Sequence, residues 1–306
     1  AYLKGIRGFD IERAYRGMKG QLMRKDFFNQ GDYITKKYFP YDKIFDGASR
    51  TLEHSYNDAG FSYLAKALGR KEDETYFRNR SKNYQSLFIT TDPFIHPRDS
   101  NGNFVKNFKP DALTGFSEGN SWQYTWAVPH DPQFLIEHMG SERRYISLLD
   151  STFDQKADTT HFEDDMTGLI GQYSHGNEPS HHIAYMYNFA GAWSKTQQRV
   201  RQIRTSLYNA TKEGLCGNDD MGQLSAWYVF SSIGFYPVDP VSGQYEFGSP
   251  AFEKIVLHNP NGKGLIITSK PSSNGVFSSI TINGKPHKSH SISHKSIQNG
   301  GTVSFK

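Results

Sequence analysis

The residues best suited to chemistry lie in three short polar motifs: Glu118-Gly-Asn120, Gly176-Asn-Glu-Pro-Ser-His-His182 and Gly217-Asn-Asp-Asp-Met-Gly222. Each motif combines glycine, an amide and an acid just ahead of an amphipathic stretch, which indicates a loop that opens a helix. Carboxyl groups held in such loops can donate and accept protons during bond cleavage. Loops of this kind can converge at one end of a helical bundle, where a pocket forms.

The Asn218-Asp219-Asp220 sequence precedes a stretch of good helix propensity. One of these three residues is expected to cap that helix by accepting hydrogen bonds from its first amides. Three capping-type residues are more than one cap requires, which leaves an acid for another role. The helix dipole favours an ionised carboxylate at this end, and an ionised carboxylate suits a general base.

Glu118 lies among aromatic residues, just before a predicted helix in which Trp122 and Trp126 share a face. A glutamate in this position is often a solvated surface charge. Here the aromatic neighbours can desolvate it and raise its pKa, which would keep it protonated as an acid catalyst requires. The two tryptophans are expected in the core, with a sugar-stacking platform as the alternative.

The second motif extends back to His175 and is the densest polar cluster in the chain. Pro179 suits the first position of a helix, which makes Asn177 or Glu178 its cap. One interpretation is a zinc site from His175, Glu178 and a later histidine, although the two adjacent histidines of the motif must point in different directions. The oxygen donors of Asn177 and Glu178 fit calcium better, but spacing alone does not establish a calcium site.

A fourth polar stretch, Ser49-Arg-Thr-Leu-Glu-His-Ser-Tyr-Asn-Asp58, is predicted to lie on a helix. Glu53 and Asn57 are four residues apart, so they share one helix face. That face either lines a cavity or is solvated.

Composition argues against several other classes of function. The 306 residues carry a formal net charge of +4 with scattered lysine and arginine, so no basic patch indicates nucleic-acid binding. Cys216 is the only cysteine, which excludes an intrachain disulfide and a cysteine-based zinc site. No apolar run reaches the roughly 18 to 20 residues of a membrane span. The sequence also lacks a phosphate-binding glycine loop, a nucleophile elbow and a Cys/His dyad.

Residues 1–236 are predicted to form a mainly α-helical region, because apolar residues recur there at helical spacing. The predicted helices are Ile11–Met18, Leu52–Leu68, Glu72–Leu87, Trp122–Met139, His181–Phe189, Thr196–Tyr208 and Gly222–Ile233. Residues 237–306 show short alternating runs instead, which predict a small antiparallel β segment. Its predicted strands are Gln244–Phe247, Lys254–Leu257, Gly264–Thr268, Val276–Ile282 and Thr302–Phe305. The Asn283-Gly284 pair predicts a hairpin turn.

Taken together, these motifs resemble the C-terminal catalytic half of the α-mannosidases of glycoside hydrolase family 92. The matching strings occur in the family's order and extend from near the start of the chain to the predicted strands. They are Leu52-Glu-His-Ser-Tyr-Asn-Asp58, Glu118-Gly-Asn-Ser-Trp-Gln-Tyr-Thr-Trp126, Val128-Pro-His-Asp131, His175-Gly-Asn-Glu-Pro-Ser-His-His182, Gly217-Asn-Asp-Asp-Met-Gly-Gln223 and Ser225-Ala-Trp-Tyr-Val-Phe230. Two long motifs in register are much more specific than any single short pattern.

Members of that family are calcium-dependent, exo-acting enzymes that invert the anomeric centre, so the resemblance implies an inverting α-mannosidase. It implies Glu118 as the general acid and Asp220 as the base that activates water, with Asp219 as a further catalytic candidate. Asn218 stands where some members carry a second acid, which leaves the division of labour among residues 218–220 open. The carboxyl groups of an inverting pair lie roughly 6.5 to 9.5 Å apart, since a water must fit between base and sugar.

The resemblance also implies a calcium ion, with Asn177 and Glu178 as its ligands. Calcium held near two ring hydroxyls would bind a distorted sugar ring more tightly than a relaxed chair. The residues predicted to contact a mannose-containing glycan are Asn177, Glu178, His181, His182, Asn218, Trp122 and Glu53.

The fold that the resemblance implies is a partial (α/α)₆ toroid, incomplete at its N-terminus and followed by the β segment. The family's N-terminal β-sandwich and first barrel helices would then be partner segments of the same protein, since an open toroid exposes apolar helix faces. A bacterial protein in the periplasm or outside the cell is expected, because export is usual for such enzymes. Two alternatives remain open: a non-catalytic glycan-binding fragment, and a toroidal polysaccharide lyase that uses tyrosine and histidine.

Overall fold

The computed structural model describes residues 1–270 and 275–306. The chain is about 41% helical with small, mostly antiparallel sheets, so the predicted mainly α class with a small β segment is confirmed at that level. It folds as two compact units, residues 1–139 with 155–166 and residues 140–154 with 167–306. The predicted division after residue 236 falls inside the second unit and stays a prediction. Within the described residues, no helix is both long and apolar enough to cross a membrane.

Ten α-helices occur in the described residues. In chain order they are α1 Ile11–Leu22, α2 Gln30–Lys36, α3 Gly47–Ala67, α4 Lys71–Arg80, α5 Ser121–Tyr124, α6 Pro132–His138, α7 Glu142–Asp154, α8 Trp193–Ser206, α9 Gln223–Ile233 and α10 His294–Asn299. Short 3₁₀ helices lie at Tyr2–Lys4, Asn83–Leu87, Glu178–Ser180 and Ile183–Ala190.

The strands of the described residues are β1 Phe88–Ile89, β2 Asp92–Ile95, β3 Leu169–Ile170, β4 Tyr173–Ser174, β5 Phe235–Tyr236, β6 Gln244–Phe247, β7 Lys254–His258, β8 Gly264–Ser269, β9 Ile280–Ile282, β10 Lys285–His287, β11 Ser291–Ser293 and β12 Gly301–Phe305. They form the two-stranded pairs β1-β2 and β3-β4, a three-stranded sheet in the order β11-β6-β5, and a five-stranded sheet in the order β10-β9-β12-β8-β7. The pairing of β8 with β12 is parallel, which departs from the predicted antiparallel segment. A parallel pair requires a crossover of a dozen or more residues, and the chain between these two strands supplies it.

In the first unit, α1, α3 and α4 pack around a small aromatic core. Its buried members are Tyr15, Phe61, Leu64, Ala65 and Phe77. The core of the second unit lies between α8, the five-stranded sheet and the three-stranded sheet. Its buried members are Trp193, Phe235, Tyr245, Phe247, Leu265, Ile267, Phe277, Ile280, Ile292, Ile297, Val303 and Phe305.

A buried ion pair ties α2, α3 and α4 together in the first unit. The Arg80 guanidinium donates to both carboxylate oxygens of Asp58, at 2.6 and 2.7 Å, and the Tyr33 hydroxyl donates to one of them at 2.7 Å. The side chains of Asp58 and Arg80 are 0% and 5% exposed. The polar stretch predicted on a helix around Glu53 does lie on α3, and Asp58 at its end faces the core.

The predicted helix Trp122–Met139 is wrong as a single element. The structure breaks it into α5 and α6, separated by residues 125–131. Pro129 cannot donate a helical hydrogen bond, and Asp131 then caps α6 by accepting from the Phe134 amide at 3.3 Å, with Pro132 in the first turn. The helix predicted to reach Leu87 likewise ends early, and its last residues form a 3₁₀ helix.

The predicted strand Val276–Ile282 is shortened to β9. The backbone of Phe277 is hydrogen-bonded to a side chain instead of to a neighbouring strand. The Gln197 side chain on α8 accepts from the Phe277 amide at 2.8 Å and donates to the Phe277 carbonyl at 3.0 Å. The predicted hairpin is present, since β9 and β10 pair across Asn283 and Gly284 at φ +50° and +77°. Two left-handed residues in succession are the geometry that this hairpin turn requires.

Candidate functional site

Glu118 lies on a turn of the first unit that is held from both sides. The Ser117 amide donates to the Ser49 hydroxyl at 3.0 Å, and the Tyr124 hydroxyl donates to the Ser117 carbonyl at 2.7 Å. Glu118 itself has a φ of +48°, in the left-handed region that non-glycine residues rarely adopt. Strained residues of this kind persist only where their surroundings fix them, and they cluster at functional sites.

The residues after the acid close the turn into α5. A Cβ at Gly119 would lie 3.0 Å from the Tyr124 ring and 3.2 Å from the Gln123 side chain, so a side chain there would displace its neighbours. Asn120 caps α5 by accepting from the Trp122 amide at 3.0 Å, while the Asn120 amide donates to the Gln123 side chain at 2.8 Å. The motif thus supplies an acid, a close backbone approach and a helix cap in three successive residues.

Glu53 and Glu118 lie near one hydroxyl group. Burial raises the pKa of Tyr124, and the negative charges of Glu53 and Glu118 raise it further. Both glutamates are exposed. The desolvation of Glu118 that its aromatic neighbours predicted is therefore not provided here, because those rings turn into the core instead of covering the carboxylate.

Trp122 is one of those core rings. It is 8% exposed and meets Phe94 edge to face, with ring centroids 4.7 Å apart, and Trp126 is fully buried. The core role expected for the two tryptophans is what the packing shows. A sugar contact by Trp122 stays a prediction, with little of its ring accessible.

In the second unit, the other two motifs pack against each other at their glycines. A Cβ at Gly176 would collide with the Thr167 hydroxyl, and a Cβ at Gly217 would lie 2.5 Å from the same oxygen and 3.3 Å from the Gly176 Cα. Neither position has room for a side chain. The loop 175–182 and the loop 217–222 therefore lie side by side, as expected for loops that open helices at one end of a bundle.

His175 is fully buried and hydrogen-bonded at both ring nitrogens. The Tyr208 hydroxyl donates to the Leu224 carbonyl at 3.0 Å, so its oxygen accepts from His175 Nε2 at 2.6 Å. His175 Nδ1 then accepts from the Tyr173 hydroxyl at 2.6 Å. Burial holds the pKa of His175 well below its ordinary value, so the ring is neutral. Because neither nitrogen has a free lone pair, the geometry does not support the zinc interpretation.

His181 connects the same loop to α9. Its Nε2 donates to the His175 carbonyl at 2.9 Å, and its Nδ1 accepts from the Gln223 side chain at 3.3 Å. The His181 carbonyl accepts from Trp227 Nε1 at 2.8 Å. Burial lowers the pKa of His181 to about 4. The substrate contacts predicted for His181 and for His182, which is also buried, stay predictions, while the visible role of His181 is to hold the loop on α9.

Asn177 and Glu178 stand at the start of the 3₁₀ helix Glu178–Ser180. The Asn177 side chain is mostly buried and Glu178 is exposed. Amide and carboxylate oxygens are the donors that calcium prefers, and calcium takes six to eight of them. Among the described residues, no group of three or more histidine, cysteine, aspartate or glutamate side chains is placed to hold a metal. The pair therefore fits calcium as part of a shell that needs further oxygens from backbone, water or sugar.

The loop 217–222 presents its two acids differently. Asp219 accepts from the Ser225 amide at 2.9 Å and from the Ser225 hydroxyl at 2.8 Å. It therefore makes the predicted capping hydrogen bond to the first turn of α9, although the N-cap position itself is Gly222. These bonds, the one from the Ser225 amide foremost, lower the pKa of Asp219. Asp220 is exposed and has a φ of +39°. Asn218 is also exposed, but it is an amide. Because Asp219 is bonded to α9, Asp220 is the acid of this loop that remains available for another role.

Several residues that fix these loops were missed by the sequence analysis. They are Thr167, Tyr173, Tyr208, Gln223 and Ser225. Gln223 and Ser225 lie within the strings that carry the family resemblance, so their positions gave a signal. The two tyrosines and Thr167 stand alone in the sequence, and their contacts come only from the fold.

Comparisons with known proteins agree with the motifs. The whole chain, residues 1–306, matches the family model described as the glycosyl hydrolase family 92 catalytic domain. A family 92 α-mannosidase from Bacteroides thetaiotaomicron, solved in complex with mannoimidazole, is 36% identical with a TM-score of 0.94, over 99% of this chain and 41% of that one. A family 92 inverting mannosidase from the same bacterium is 32% identical with a TM-score of 0.90, over 100% and 44%. An uncharacterized secreted glycosidase from Arthroderma benhamiae is 30% identical over 83% of this chain and 34% of its own.

The chain thus spans less than half the length of these relatives. The family model nevertheless covers all 306 residues, and the relatives share about a third of their aligned residues with this chain. The chain belongs to glycosyl hydrolase family 92.

Proposed function

We propose that the protein containing this chain releases terminal α-linked mannose from glycans with inversion at the anomeric carbon. The observation that carries the proposal is the match of the whole chain to the family 92 catalytic domain, with relatives named as α-mannosidases and one as an inverting mannosidase. Glu118 and Asp220 support it, because each is an exposed acid held on a left-handed backbone.

The two acids have opposite tasks in this proposal. Glu118 transfers its proton to the glycosidic oxygen as the bond from that oxygen to the anomeric carbon breaks. Asp220 accepts a proton from a water whose oxygen bonds to the same carbon from the opposite face. The products are mannose of inverted configuration and a glycan with a new hydroxyl. Glu118 ends ionised and Asp220 ends protonated, so a proton exchange with solvent restores the starting state.

Calcium is part of the proposal, with Asn177 and Glu178 as protein ligands. When bound, the ion would stabilise a distorted sugar ring through its hydroxyls. Asn177 and Glu178 would orient the sugar at the same time, together with Asn218, His181, His182 and Glu53.

At the level of the whole protein, we propose the (α/α)₆ toroid of the family as the architecture that holds these loops. The relatives' greater length fits additional segments of the same protein as partners. A periplasmic or extracellular location is proposed as well, and the naming of one relative as a secreted glycosidase supports it.

The experiment is an assay of mannose release from α-mannosides by the full-length protein, with the first-formed anomer followed by NMR. Glu118→Gln and Asp220→Asn should each lower kcat by roughly 10²–10⁴-fold, the usual contribution of general acid or base catalysis. Ordinary turnover in Glu118→Gln would overturn the acid assignment. Glycan binding without release in the unaltered protein would favour the non-catalytic alternative, and an unsaturated, ultraviolet-absorbing product would favour a lyase.

A further inference from the structure

We propose that Asp219 is a positioning residue which holds Asp220 in place and does not itself activate water. The inference rests on the proposed function, because it assumes that Asp220 is the base. It assigns separate tasks to the two neighbouring acids, which the sequence left open.

The first observation is that both oxygens of the Asp219 carboxylate are hydrogen-bonded to Ser225. One oxygen accepts from the Ser225 amide at 2.9 Å, and the other accepts from the Ser225 hydroxyl at 2.8 Å. Ser225 is the third residue of α9, so this carboxylate is fixed to the first turn of a helix. A base must instead point a lone pair at a water beside the sugar.

The second observation concerns the turn that follows Asp219. We call the two hydrogen bonds between the Asp219 carboxylate and Ser225 the clamp, and this clamp joins the start of the turn to α9. Asp220, Met221 and Gly222 have φ values of +39°, +57° and +91°, three left-handed residues in succession. Left-handed conformations of non-glycine residues are unfavourable, and methionine has no special tolerance for them. The Asp219 carbonyl accepts from the Gly222 amide at 3.0 Å and from the Gln223 amide at 2.7 Å. Asp219 therefore holds both ends of the strained turn, through its side chain and its backbone.

The third observation is what the turn exposes. Met221 is fully exposed, so no packing of its side chain explains the conformation. Asp220 is exposed beside it. The lowered pKa of Asp219, caused first by the Ser225 amide, adds that this carboxylate holds a proton weakly and would be a poor acceptor. The strain thus serves to project Asp220, and Asp219 maintains it.

The conservative variant Asp219→Asn separates the two roles. The asparagine oxygen can still accept from the Ser225 amide, and its NH₂ group can donate to the Ser225 hydroxyl, so the clamp survives without the charge. We expect kcat of Asp219→Asn within about tenfold of the unaltered enzyme. Asp219→Ala removes the clamp, and kcat should fall roughly 10- to 100-fold with KM changed less than about threefold, since small misplacements of a reacting group lower rates by that order.

Ser225→Ala is the matched control, because it removes only the hydroxyl half of the clamp. It should lower kcat by a few-fold, and in the Asp219→Ala background it should have no further effect, since the partner is already gone. The pH dependence of kcat should keep its limbs in Asp219→Asn. Circular dichroism and unfolding midpoints of every variant check that the fold is retained.

The outcome that overturns the inference is a loss in Asp219→Asn as large as the loss in Asp220→Asn, or a shifted basic or acidic limb in its pH profile. That result would make Asp219 the residue that takes the proton. If the proposed function itself is wrong, the outcome differs, because Asp220→Asn would then turn over substrate normally whatever the activity of Asp219→Asn.

Discussion

Glu118 and Asp220 are presented by the same kind of backbone. Both are exposed, and both are non-glycine residues at positive φ, +48° and +39°. Each such residue costs roughly 1–2 kcal/mol, so the surrounding hydrogen bonds must offset the strain. For Glu118 those bonds come from Ser49 and Tyr124, and for Asp220 they come from the Asp219 clamp. Strain at two acids that were singled out from sequence alone is an independent physical reason to test them first.

Glu246 is a buried acid outside the proposed chemistry. It is 9% exposed on β6, and the Asn188 side chain donates to its carboxylate at 3.1 Å. Burial raises the pKa of Glu246 to about 7, against an ordinary value of 4.5. At pH values between 4.5 and about 7, Glu246 therefore binds a proton more tightly in the folded protein than in the unfolded chain. The stability that this proton contributes is complete below about pH 4.5 and is lost as the pH rises through 7.

Glu246→Gln should remove that pH dependence. Above pH 7 the variant is expected to be more stable than the unaltered protein, by on the order of 3 kcal/mol, because a neutral amide avoids burying a carboxylate. Urea unfolding midpoints measured from pH 5 to pH 8 check this. The same change at exposed Glu253 is the control and should leave the slope unaltered. A Glu246→Gln protein that loses stability equally at every pH would contradict the assignment.

At the scale of elements, α3 and α4 depend on the buried pair of Asp58 and Arg80. The two side chains are 0% and 5% exposed, and Arg80 is stacked at 4.7 Å over the Phe77 ring. The net contribution of such a buried pair to stability is smaller than the destabilisation that follows when one partner is removed.

Asp58→Asn should destabilise the protein by about 3–5 kcal/mol, because it leaves the Arg80 guanidinium buried without its counter-charge. Chemical unfolding followed by circular dichroism provides the measurement. Asp26→Asn is the matched control, since Asp26 pairs with Arg24 at 3.0 Å on the surface and its loss should leave the midpoint unchanged. Equal effects of the two substitutions would show that burial does not govern this pair.

Local patterns sufficed to predict most elements but not their interruptions. Helices with a regular apolar face and the Asn283-Gly284 hairpin follow from spacing and turn chemistry. The break before α6 had a visible signal in Pro129 and in the cap-like Asp131, which the apolar spacing outweighed. The loss of strand around Phe277 had none, because it depends on a glutamine eighty residues earlier in the chain.

Some features of the candidate site could likewise be predicted from local sequence, and others could not. The cap within residues 218–220 and the glycines of the loops were predictable, since caps and close approaches leave local marks in sequence. That Asp219 is the acid bonded to the first turn of α9 depends on the local backbone path, and that Gly176 faces Gly217 across Thr167 depends on contacts between separate segments. The exposure of Glu118 also ran against expectation, because neighbours in sequence need not cover one another in space.

At the scale of the whole molecule, calcium binding can be tested without activity. A ligand that binds only the folded state stabilises it by about 2.7 kcal/mol at 100 times its Kd. Calcium added to EDTA-treated, full-length Glu118→Gln protein should therefore raise Tm by several degrees, and Asn177→Ala should abolish the rise. Magnesium is the comparison ion, since its smaller, octahedral shell fits these donors less well. An unchanged Tm at millimolar calcium would contradict the proposed site.

The two compact units are interleaved along the chain. It enters the second unit at residue 140, returns to the first at 155 and leaves it again at 167. The first segment of the second unit, residues 140–154, carries α7, whose buried Tyr145 donates its hydroxyl to the Met186 carbonyl at 3.2 Å. Any single recombination breakpoint would consequently leave one unit without part of its own structure. Exchange of either unit between related proteins would therefore require three breakpoints, after residues 139, 154 and 166, instead of one.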